Sequence, residues 1–108
     1  MPSSDRSIAL GGLSRWLRDR FGARLKELAL FGSYARGESR EDSDIDVLVV
    51  VDDLSHREGR EIAQYCGDIL TEHDVLVSTF AVSTERMFEL RGRERLIARE
   101  IDRDRVPL

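Results

Sequence analysis

A chain of 108 residues with 41% apolar and 35% charged side chains has the size and balance of one globular domain, and excludes disordered and collagen-like classes. Its net charge of −4, with Lys26 the only lysine among 17 basic residues, spreads cations among acids and argues against direct nucleic-acid binding, which calls for a pooled basic patch. The longest apolar run, Val47 to Val51, is too short to span a bilayer, no secretory leader opens the chain, and the lone Cys66 suits a reducing compartment. The expectation is a cytoplasmic protein away from the membrane, one domain over 1–108, with no zinc site.

The first predicted element is a helix over residues 5–20, where Leu10, Leu13, Leu17 and nearby Trp16 recur at helical spacing opposite Arg15, Arg18, Asp19 and Arg20. Gly22 is its stop signal. Leu28 to Phe31 reads as a short buried strand running into a tight turn at Gly32-Ser33. A polar loop from Glu38 to Ser43 follows, then Ile45 to Val51, apolar and β-branched throughout, as befits a central strand covered on both faces.

Ser55 and Glu58 form a capping box for a helix running to about Thr71, with Ile62, Cys66, Ile69 and Leu70 on its buried face. Residues 74–80 are expected to form a third strand, Ser83-Thr84-Glu85 opens a short helical turn holding Met87, Phe88 and Leu90, and a last helix over 93–102 buries Leu96, Ile97 and Ile101. The Arg-Glu alternation from Glu89 to Arg95 reads as a solvated face. The order of elements implies an α+β fold, a small mixed sheet with helices packed on it. Trp16 and Phe21 are expected in the core or an interface, and His56 and His73, far apart in sequence, at the surface.

Chemistry gathers at two places. The stretch Leu30-Phe31-Gly32-Ser33-Tyr34-Ala35-Arg36-Gly37 joins a strand to a helix start, where backbone N–H groups without helical partners favour anions. Gly32 permits a sharp turn and close approach, Ser33 offers a hydroxyl to a phosphate oxygen, and Ser43 can help from the far side of the loop. Alone, a Gly-Ser turn is commonplace.

In Ser43-Asp44-Ile45-Asp46 two carboxylates stand one position apart as the apolar strand begins. Alternate strand residues face the same way, so the pair projects together with Cα atoms roughly 6–7 Å apart. A solvated strand end accounts for Asp44; Asp46, at the edge of a core, needs a positive partner. Magnesium, which binds through one or two carboxylates plus substrate phosphates, is such a partner. Asp74, ahead of Val75-Leu76-Val77, would bring a third carboxylate to that face if the strands are adjacent, with Glu72 its nearest competitor and a plain turn residue the alternative.

Together, Gly32-Ser33-Tyr34-Ala35-Arg36-Gly37 and Ser43-Asp44-Ile45-Asp46 resemble the signature of the DNA polymerase beta-like nucleotidyltransferase superfamily and its smallest members, the minimal nucleotidyltransferases. The helices carrying Arg91, Glu94, Ile97 and Glu100 are also similar to that family's layout. The resemblance implies the polymerase beta-like fold, with Gly32 and Ser33 holding the triphosphate of ATP. Asp44 and Asp46 would bind two Mg2+ ions, and Asp74 would complete a catalytic triad. Arg36 would either touch phosphate or pair with Glu38. AMP would pass to a hydroxyl as pyrophosphate leaves. The chain's length leaves no room for the helical domain of larger relatives, so recognition of the acceptor is expected from elsewhere. The partner it implies is a separate all-helical HEPN toxin, adenylylated by the chain or, in the alternative, neutralised by contact alone. The stretch Ile101 to Leu108 is a candidate docking or homo-oligomer segment, or a frayed end.

Overall fold

A computed structural model describes residues 2–38 and 43–108; the middle of the polar loop, 39–42, lies outside the described residues. The elements in chain order are α1 (Pro2–Phe21), a 3-10 turn (Gly22–Arg24), β1 (Leu25–Phe31), α2 (Gly32–Ala35), β2 (Ile45–Val51), α3 (His56–His73), β3 (Val77–Ser83), α4 (Thr84–Gly92), α5 (Leu96–Asp104) and β4 (Val106–Pro107). The strands lie in the order β3-β2-β1-β4. β1 runs antiparallel to both β2 and β4, and β2 runs parallel to β3. The sheet is therefore mixed, and the fold is α+β as expected.

β2 is central because nearly every residue in it has an apolar partner on one face or the other. Ile45, Val47, Val49 and Val51 pack under α1 and α3 with Leu13, Leu17, Ile62 and Ile69, whereas Leu48 and Val50 pack under α4 and α5 with Met87, Leu90 and Ile101. This is the burial that an uninterrupted β-branched run needs. Gly22, at φ +54°, lets the chain turn out of α1. The stacked rings of Trp16 and Tyr65, 4.6 Å apart, join α1 to α3.

The capping box at Ser55 and Glu58 is present in full, and α3 ends on Asp74, whose left-handed backbone carries its N–H to the Leu70 carbonyl. Four expectations are corrected here. The third strand begins at Val77, not at residue 74, because Asp74 is spent as the helix cap. Leu70 and Leu96 are 43% and 71% exposed; Leu96 is the first residue of a helix that starts later than expected and so misses the buried stripe. Arg91 leaves the solvated face, since its guanidinium grips both carboxylate oxygens of Glu27 on β1 and those of Asp102 on α5. The C-terminal residues do not fray: Val106 and Pro107 pair with Leu30 and Ala29, and Leu108 donates its N–H to the Leu28 carbonyl. Proline is tolerated there because β4 is an edge strand. Among the described residues no helix is long and apolar enough to cross a membrane.

Candidate functional site

The antiparallel pairing of β1 with β2 sets Phe31 opposite Asp46. Gly32, the next residue, is thereby carried against the Asp46 carboxylate as the chain turns into α2. Its φ of +74° suits glycine, and a Cβ at this position would collide with Asp46 Oδ2. The Gly-Ser turn and the aspartates, eleven or more positions apart in sequence, are thus two walls of one site. Side chains alternate along a strand, so Asp46 projects to the same face as Leu48 and Val50, toward α4 and α5.

Asp44 is exposed and Asp46 half-buried. Burial, and then the neighbouring charge of Asp44, push the Asp46 carboxyl above the usual aspartate range, while Arg36 draws it back. Two close carboxylates, one of them partly desolvated, are a donor set that a hard divalent cation compensates. Asp44 and Asp46 would suit magnesium, with substrate oxygens and water supplying its remaining ligands. Among the described residues no three His, Cys, Asp or Glu side chains gather as a metal-holding group.

Asp74 does not lie on the strand that was to carry it. It is an exposed helix cap three residues before β3, and the residue that β3 places beside Asp46 is Ser78. Glu72 lies within α3 and is 71% exposed. His56, exposed, and His73, half-buried, are the first and last residues of α3.

A cavity of about 420 Å³ opens over Asp46, lined by Phe31, Gly32, Ser33 and Arg36 on one side and by Glu100, Arg103 and Asp104 of α5 on the other. Arg36 does pair with Glu38, Nε to Oε2 at 3.1 Å, and it also reaches Asp104 Oδ2 with Nη1 at 2.7 Å. The pairing alternative for Arg36 is thus the one observed, and the paired guanidinium borders the cavity. Ser43 stands apart from this lining; its carbonyl accepts a hydrogen bond from Arg6 Nη2 at 3.3 Å.

Two contributions escaped the sequence. Arg6, 8% exposed, packs its guanidinium over the Tyr34 ring at 5.7 Å while bonding Ser43, so α1 ties together the two ends of the loop that separates the Gly-Ser turn from the aspartates. Arg103 and Asp104 enter the site from the C-terminal end of α5. Neither follows from local pattern: an Arg in a charged helix is ordinary, and only tertiary packing gives these a shared target.

The chain is similar to known proteins. A family model described as nucleotidyltransferase domain matches residues 12–103. A Methanocaldococcus jannaschii protein provisionally named a protein adenylyltransferase is 36% identical over 70 residues, covering 64% of this chain and 65% of that one. Protein adenylyltransferase MntA of Thermococcus cleftensis is 55% identical over 38 residues, 35% of this chain and 36% of the relative. The chain thus spans less than two thirds of the length of these curated relatives. A solved structure described as a provisionally assigned minimal nucleotidyltransferase is 28% identical, with a TM-score of 0.62, over 99% of this chain and 95% of that one. A toxin-antitoxin crystal structure with AMP-PNP, 24% identical and with a TM-score of 0.59 over 89% of this chain and 69% of that one, shares the fold.

Proposed function

The chain belongs to the nucleotidyltransferase domain family, and from that premise we propose that it is a magnesium-dependent nucleotidyltransferase moving AMP from ATP onto a hydroxyl of a partner protein. The observation that carries this reading is the packing of Gly32 against Asp46, with Asp44 alongside and Arg36 on the rim of the same cavity. Groups suited to phosphate and to a cation thereby border one cavity, which a metal-bound triphosphate would occupy.

In this reading Asp44 and Asp46 hold magnesium, two ions at full occupancy. The ions, when bound, supply the positive charge that offsets the phosphates and the carboxylates together. Gly32 leaves room for the triphosphate to lie close to the backbone, and the Ser33 hydroxyl donates to a phosphate oxygen. Arg36, held by Glu38 and Asp104, faces the phosphates with its orientation already fixed, so little entropy is lost when they arrive. The acceptor oxygen bonds to the α-phosphorus, the bond from that phosphorus to the bridging oxygen breaks, pyrophosphate leaves, and the hydroxyl proton passes to water. Positioning and charge stabilisation carry the rate.

The acceptor is proposed to be a helical HEPN-type toxin. Support comes from relatives named protein adenylyltransferases and from the shared fold of toxin-antitoxin complexes. The test is incubation with labelled ATP, magnesium and the protein encoded by the neighbouring gene. Label on that protein is the expected result, and no transfer with any nucleoside triphosphate would overturn the reading. A second reading, neutralisation of the partner by contact alone, is favoured by the use of Asp74 as the cap of α3, outside the strand β3. The variant Asp44→Asn with Asp46→Asn separates them, since a contact antitoxin keeps its neutralising effect and a transferase loses it.

A further inference from the structure

One buried side chain in the lining of the cavity is an acid shared by two arginines. The Asp104 side chain is 4% exposed. It accepts from Arg36 Nη1 at 2.7 Å and from Arg103 through Nε at 2.9 Å and Nη2 at 3.2 Å. The hydrogen bonds from Arg103 hold its carboxyl below the usual aspartate range against the effect of burial, and Arg36 adds to them. One arginine comes from the turn after α2, the other from the last turn of α5, 67 positions further along the chain. Both line the cavity over Asp46.

A guanidinium has five N–H donors in a rigid fork, so each arginine keeps donors beyond those turned to Asp104. The Arg103 side chain is 64% exposed, and an ion pair at that exposure contributes little to stability. What it does accomplish is to fix the direction of a long cation at the mouth of the cavity. Resting on the reading of the site as a nucleotidyltransferase centre, we propose that Arg103 is a second phosphate-binding residue, contacting the β- and γ-phosphates that depart as pyrophosphate. Asp104 is the positioning residue that presents Arg103 and Arg36 to them together.

The charges around the cavity specify the form of the ligand. Three carboxylates, of Asp46, Glu100 and Asp104, line it beside the two guanidiniums, so a bare polyphosphate gains little there and its magnesium complex is the species admitted. The two arginines distinguish a ligand that carries β- and γ-phosphates from one that ends at the α-phosphate.

The test is equilibrium binding of ATP, AMP and inorganic tripolyphosphate, each with magnesium, to the wild-type chain and to Arg103→Ala, Arg103→Lys and Asp104→Asn. Arg103→Ala is expected to lose about tenfold or more in affinity for ATP and tripolyphosphate, the worth of one charge-assisted hydrogen bond, with AMP unchanged. Arg103→Lys should recover part of that loss. Asp104→Asn should lower the ratio of ATP to AMP affinity, which a merely structural defect would leave alone while lowering both affinities and Tm. Arg103→Ala binding all three ligands as the wild type does would overturn this inference and leave the reading of the site standing. A wild-type chain that binds neither ATP nor tripolyphosphate would overturn both.

Discussion

On the side of the sheet covered by α1 and α3, Leu13, Leu17, Ile62 and Ile69 close over Ile45, Val47 and Val49. On the side covered by α4 and α5, the patch made by Leu48, Val50, Met87 and Ile101 gives way at one end to Asp46 and the arginines around it. The same strand serves both sides through its period of two. Residues 45, 47 and 49 are committed to the core, and the alternate set begins with a carboxylate before it turns apolar. The face with the candidate site is thereby free to carry destabilising charge because the opposite face supplies the cohesion.

The sharpest way to break this comparison is to remove the charge. Asp46→Asn is expected to lower nucleotidyl transfer by more than about a hundredfold, since even outer-shell partners of a bound metal cost about 10–100-fold when lost. Its Tm should hold or rise, because the ionised carboxylate is held against burial and against Asp44. A fall in Tm parallel to the fall in activity would show that the site face is cohesive in its own right. Leu13→Ala makes the opposite cut. Leu13 is fully buried, and its truncation should cost about 2–5 kcal/mol of stability, read from denaturant unfolding, with ATP affinity unchanged below the transition. A lowered affinity in the folded variant would show that the two faces are coupled.

Arg91→Ala probes the site face away from the cavity. Its guanidinium ties Glu27 of β1 to Asp102 of α5, with side chains 33%, 20% and 45% exposed. Lying between surface and buried pairs, it should be worth about 1–2 kcal/mol. Loss of stability without loss of transfer would separate the ions that hold α5 on the sheet from those that face the ligand.

What the sequence made legible was whatever a short window determines. The run Ile45 to Val51 announces a strand covered on both faces, and Ser55 with Glu58 announces a helix start. Asp46, next but one to Asp44, announces a candidate site, because a carboxylate at the mouth of an apolar strand is costly without a positive partner. The rest depends on partners distant in sequence. Nothing near Val106 and Pro107 marks them as a strand until β1 offers a free edge, and Arg103 acquires its direction from an acid that also binds Arg36. The third strand starts later than expected for a local reason, a competition between two uses of Asp74. The Asp-Val-Leu-Val stretch has strand propensity, but α3 needs a left-handed residue to end on, and Asp accepts that backbone more readily than a β-branched residue does.

The smallest effect is a matter of pH and belongs to the apolar side. Glu58 caps α3 by accepting the Ser55 N–H at 3.0 Å and takes two hydrogen bonds from Arg24, at 2.7 and 2.9 Å. The Arg24 guanidinium, and then the Ser55 backbone, lower its carboxyl from 4.5 to about 2. A group whose folded value lies below its unfolded one contributes stability that is present above the unfolded value and lost as pH falls through the folded one. Glu58→Gln keeps an oxygen for the Ser55 N–H but loses the charge that Arg24 binds. Its Tm should therefore lie below that of the wild type at neutral pH, and the gap should close as pH falls from about 4.5 toward 2. The Leu13→Ala deficit, with no titrating group behind it, should stay constant over the same range. A Glu58→Gln gap that stayed constant too would mean that the carboxylate acts at this helix start through its shape, and that its charge contributes nothing.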